Sequence, residues 1–183
     1  MNTMAVATKV LLPTGTWVAD SPHSRAEFAL EYMGGTFRGG FSPFEARLEV
    51  DDDGNAVLAG SASVESVRVQ DENLEAHLLS PEFFDAERTP ALEFRSTKIE
   101  RNGDDLVVTG DLTVRDQTRP VELRGSVQGP IQDPHGRERV SLELTTTIDR
   151  TDFGLDWNAP LPNGEPALAN DTTLTAELFL VKA

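Results

Sequence analysis

The sequence predicts an all-β fold: a single antiparallel β-barrel of about eight strands, carrying one short helix and one long loop. Three observations predict it. Bulky and polar residues alternate along most of the chain, turn sequences separate the alternating runs, and only two segments break the rhythm. Period-two alternation gives a strand one wet face and one dry face. Many such strands in one chain must share an interior. Closure into a barrel also removes the long exposed edges that an open sheet would leave.

The elements follow in order. Residues 1–14 read as a loose arm, and the barrel domain occupies 15–183. Strands are expected at 16–20, 25–32, 36–50, 56–69, 91–99, 105–114, 120–128, 138–149 and 172–182. In the second, Ala26, Phe28, Leu30 and Tyr32 alternate with Arg25, Glu27 and Glu31. In the eighth, Val140, Leu142, Leu144, Thr146 and Ile148 alternate with Ser141, Glu143, Thr145 and Thr147. Turn chemistry separates these runs at Asp51–Asn55, Asn102–Asp104, Asp116–Thr118 and Asp133–Gly136, so neighbouring strands run antiparallel. Gly34-Gly35 and Gly39-Gly40 suggest bends or bulges in the long third strand. Asp71–Leu79 reads as a short helix, running into Ser80-Pro81-Glu82-Phe83-Phe84-Asp85. Asp149–Asp171, with Pro160, Pro162, Gly164 and Pro166, reads as a long loop of the kind that serves as a lid or a contact surface.

Composition narrows the function classes. The chain has 183 residues, 31 acidic and 16 basic side chains, a net charge of −15 and no cysteine. Disulfides, thiolate metal sites and thiol catalysis are excluded. No basic stripe exists to neutralise phosphates, so nucleic acid and anionic bilayers are not expected partners. No run reaches transmembrane length, and Met1–Thr14 lacks both a signal-peptide core and a cleavage site, so a cytoplasmic protein without integral membrane association is expected.

Several strings resemble the YceI family of lipid- and polyisoprenoid-binding domains. They are His23-Ser24 with Phe28 and Met33-Gly34; Gly39 with Phe41 and Phe44; and His77-Leu78 with Ser80-Pro81 and Phe83-Phe84-Asp85. Further on stand Pro90, Phe94 and Ser96-Thr97; Val108–Val114 with Thr118–Val121; and Asp149-Arg150 with Asp152–Leu155. The resemblance runs from Trp17 to about Val181. Two positions depart from the family pattern: Tyr32 replaces a common His, and Leu74-Glu75 replaces a common Arg-Asp pair. The resemblance implies a lipocalin-like barrel and a non-catalytic carrier that holds a polyisoprenoid lipid or prenylated quinone, with no cofactor required. The inward residues it points to are Phe28, Leu30, Tyr32, Phe41, Phe44, Leu48, Phe94, Leu112 and Leu144, with His77, Phe83, Phe84 and Trp157 at the mouth. Burying a hydrocarbon tail contributes about 0.8 kcal/mol per CH₂, so affinity needs no precise polar contact.

Alternation alone is the same for a packed core and for a hollow one; only the resemblance turns the reading toward a tunnel. Two other readings are a barrel enzyme acting on a small or isoprenoid substrate through Asp149, Asp152 and His77, which requires these groups to converge in one cavity, and a structural or interaction module with the 149–171 loop as its contact surface. His23 and His135 read as turn residues, and Asp51-Asp52-Asp53-Gly54 lacks the spacing of a calcium loop, so no metal site is expected. Whether two chains pair as a homodimer stays open.

Overall fold

In the computed structural model, which describes residues 12–183, the alternating runs form strands β1 (Gly15–Ala19), β2 (Arg25–Tyr32), β3 (Gly35–Phe41), β4 (Glu45–Val50), β5 (Ala56–Ser63), β6 (Val67–Arg68), β7 (Ala91–Asn102), β8 (Asp105–Val114), β9 (Gln117–Gln132), β10 (Glu138–Asp149) and β11 (Leu168–Lys182). One helix, α1 (Glu72–Leu79), lies between β6 and β7, and 3-10 turns occupy Val64–Ser66 and Arg150–Phe153. All pairings are antiparallel.

The expected barrel is present, closed by the pairing of β1 with β11. It has eight staves, and three neighbouring ones are each broken in two. β1 and β2 lie end to end along β11, with Ala19 opposite Leu180 and Arg25 opposite Glu177. β4 and β3 pair with them in turn, and β5 and β6 pair with those. β5 continues the sheet to β7. Beside β6 stands the segment 69–90, which sends Leu78 and Phe84 into the same core as Phe28, Val64 and Val67.

Where the elements differ from expectation, local chemistry explains it. The expected strand 36–50 is two strands, because Ser42-Pro43-Phe44 interrupts it and proline has no N–H to give a ladder. Gly34 (φ 81°) lies outside that strand: with Met33 (φ 48°) it forms a two-residue hairpin turn between Tyr32 and Gly35. The expected strand 56–69 is broken by the turn at Val64–Ser66, where Ser66 Oγ donates to the Ser63 carbonyl. β9 outruns its alternation, which ends at Gly129 (φ 105°) and Pro130. A register shift opposite Arg139 and Ser141 absorbs the irregularity, and pairing continues to Gln132. Asp71 caps α1, accepting hydrogen bonds from the N–H groups of Asn73 (2.8 Å) and Leu74 (3.2 Å).

Of the expected arm at 1–14, residues 1–11 lie outside the described residues. Leu12 is buried in the core at 6% exposure, and Trp17 Nε1 donates to the Pro13 carbonyl at 2.9 Å. The packed end of the barrel therefore takes in residues ahead of β1.

Candidate functional site

The interior divides into two storeys. At the end bearing the β4–β5, β7–β8 and β9–β10 turns, Trp17, Leu48, Leu106, Val108, Val127, Val140, Leu142 and Leu180 fill the bore. At the opposite end, ringed by α1 and the 150–167 loop, the bore is hollow. A cavity of about 450 Å³ lies there, in the range of small-molecule sites.

Its walls are apolar, built from leucines and a connected row of aromatic rings. Phe28 is central, with ring centroids 5.8 Å from Phe41, 6.4 Å from Phe37 and 6.4 Å from Phe84. Phe41 and Phe84 meet edge-on at 5.7 Å. Tyr32 continues the row through Phe37 at 6.4 Å and stands partly exposed at the mouth. Leu30, Phe44, Phe94, Leu112 and Leu144 complete the expected strand contributions. Leu48 does not line the cavity. Its strand faces inward as expected, but Leu48 lies deeper, at 0% exposure, between Trp17 on β1 and Leu58 on β5.

The mouth carries the two irregular segments. His77 from α1, Phe83 from the turn that follows and Trp157 from the long loop pack as a trio, with centroids at 4.9 Å (His77–Phe83), 4.9 Å (His77–Trp157) and 5.3 Å (Phe83–Trp157). His77 Nε2 and Glu82 Oε2 are hydrogen-bonded at 2.5 Å. Backbone bonds fix the turn. Phe84 N–H donates to the Leu78 carbonyl, Asp85 N–H to that of Ser80, and the buried Thr89 hydroxyl to that of Phe84 at 2.6 Å.

Arg150 holds the other side. It is 4% exposed, with Nε donating to the Ala169 carbonyl (2.9 Å), Nη1 to those of Leu155 (2.6 Å) and Trp157 (2.9 Å), and Nη2 to Asn170 Oδ1 (3.4 Å). Burial pulls its pKa below the usual arginine value, opposed by the nearby charges of Asp149 and Asp156. The guanidinium thus serves the backbone of the loop that carries Trp157.

The three groups of the enzyme reading do not converge. His77 stands at the cavity mouth. Asp149 instead accepts hydrogen bonds from the Thr151 hydroxyl (2.6 Å) and N–H (2.9 Å), which hold its pKa below the ordinary carboxylate value, and it borders a groove on the outer wall. Asp152 is exposed on the 3-10 turn and does not line the cavity.

Several lining residues were not singled out from the sequence. Phe37 lies two residues before Gly39 and four before Phe41, on the same face of β3. Leu174 and Leu178 alternate along β11, and Leu58 faces inward on β5. Parity along each strand carried that signal.

The family model described as the YceI-like domain matches residues 17–180. Protein YceI of Escherichia coli O17:K52:H18 is 29% identical over 139 residues, covering 74% of this chain and 73% of that protein. Among solved structures, BcnA of Burkholderia cenocepacia superposes with a TM-score of 0.75 at 19% identity, over 90% of this chain and 99% of the other. A polyisoprenoid-binding domain from Saccharophagus degradans, implicated in plant cell wall breakdown, gives 0.69 at 11% identity, over 93% and 100%. With the barrel in place and the family model spanning nearly all of it, the chain belongs to the YceI-like family.

Proposed function

We propose that this protein is a non-catalytic carrier that holds a polyisoprenoid lipid or a prenylated quinone in the upper storey of its barrel. The observation that carries the reading is the cavity of about 450 Å³, walled by Phe28, Phe41, Phe84 and Phe94 and roofed by His77, Phe83 and Trp157. A prenyl tail suits such a lining because each buried CH₂ contributes about 0.8 kcal/mol without a directed bond. The polyisoprenoid-binding domain of Saccharophagus degradans, which shares the fold, supports the same class of ligand. The reading requires no cofactor, and it assigns ligand contact to the twelve expected residues other than Leu48 that line the cavity.

The test is to purify the protein, extract it with organic solvent and analyse the extract by mass spectrometry, then titrate the stripped protein with prenyl alcohols and prenylquinones. The expected result is a co-purified isoprenoid or saturable binding. A barrel that emerges empty and also refuses every prenyl lipid would overturn the reading.

A further inference from the structure

We infer that the packed lower storey is a ruler for tail length, with Leu58 at the point where the tail must stop. The inference rests on the carrier reading above. Ala46, Leu58, Leu144 and Leu178 belong both to the cavity wall and to the packed cluster beneath it, so they form the floor. Under Leu58 the row continues into the buried cluster: Leu58 pairs with Leu48 across β4–β5, and Leu48 pairs with Trp17 across β1–β4. Leu48 and Trp17 are completely buried.

Close-packed protein interiors do not admit a hydrocarbon chain unless side chains leave their rotamers. A tail entering from the mouth therefore gains affinity with each isoprene unit until it touches the floor. Further units remain at the mouth or in water and contribute little. The chamber sets a preferred tail, and the residue at its base sets the limit.

The experiment measures dissociation constants of the lipid-stripped full chain for geraniol, farnesol, geranylgeraniol and solanesol, by competition against one fluorescent prenyl probe. Affinity is expected to rise at least about tenfold per added unit, then to level off at a definite length. Leu58→Ala is expected to move that break to a longer alcohol, and Leu58→Phe, which raises the floor and leaves no void, to a shorter one. Thermal melts confirm that each variant is folded. An affinity that climbs without a break through solanesol overturns the ruler and leaves the carrier reading standing. So does a break that neither variant moves. Failure of all four alcohols to bind overturns both.

Discussion

Phe28 and Gly39 stand directly opposite each other on β2 and β3, and the Phe28 ring lies over the bare Gly39 backbone. A Cβ on Gly39 would sit 2.9 Å from Phe28 Cε1 and 2.9 Å from Val69 Cγ1, closer than real Cβ atoms approach. The glycine is there for the ring, and the ring is the centre of the aromatic wall. Gly39→Ala should drive Phe28 toward the cavity, costing about 1–3 kcal/mol of stability by overpacking and weakening prenyl-lipid binding. Urea denaturation and ligand titration on the same sample read the two effects.

Arg150 yields a second prediction. Its guanidinium serves three carbonyls and an amide oxygen on the loop that carries Trp157 and on the start of β11. Lysine cannot reproduce that fork. Arg150→Lys should destabilise by about 2 kcal/mol or more, because buried acceptors lose their donors. In a Trp17→Phe background, where Trp157 is the remaining tryptophan, acrylamide quenching should rise as the loop loosens.

Leu48 lies below the chamber in the filled bore, so its truncation is a packing event. Leu48→Ala should cost about 2–5 kcal/mol in chemical denaturation, the range for a buried leucine whose surroundings relax only partly.

Acid should weaken the barrel, in part through carboxylates near its filled end. Asp133 accepts from Arg139 Nε at 2.8 Å, and that bond, helped by the N–H groups of Arg137 and His135 and the Arg137 charge, holds its pKa well below the ordinary carboxylate value. Asp20, bonded to His23 and Arg139, is lowered in the same direction, His23 first. A carboxylate depressed on folding stabilises the protein above its unfolded pKa, and that contribution is lost as pH falls through the folded one. Stability should stay flat near neutrality and decline as the pH falls below about 4. Asp133→Asn should flatten the acid limb of a melting-temperature profile.

Charge at the mouth bears on the head group. The loops 33–34, 64–90, 115–116 and 150–167 carry eleven acidic and four basic side chains. Each of the four is engaged: Arg68 with the Glu65 and Val67 carbonyls, Arg88 with Asp85, Arg115 with the Gly154 carbonyl, and Arg150 as above. A prenyl phosphate should bind more weakly than the matching alcohol at low salt. The difference should shrink as ionic strength rises, which parallel titrations would show.

Much of this architecture was legible in the sequence, for reasons that particular residues make plain. Alternation fixed which side chains face inward, so Phe28, Leu30, Phe41, Phe94, Leu112 and Leu144 were found from local pattern and family strings. Leu48 shows the limit. Parity gives the side of a strand but not the height along the bore, which depends on register with distant strands; Leu48 obeys the inward rule yet pairs with Trp17 and Leu58 in the filled half. The same cause hid the floor residues Leu58 and Leu178. Asp149 and Asp152 lie close in sequence, but the 3-10 turn that Asp149 caps points the two to different uses.

The three staves broken side by side separate two jobs that most small barrels must combine. One half of the tube is filled by Trp17, Leu48 and Leu180, and the other keeps its own apolar cluster around Phe28, Val64 and Phe153 while leaving a room open inside it. Volume-conserving swaps at wall positions such as Leu30 and Phe37 can therefore change which greasy cargo fits while the filled half holds the tube closed.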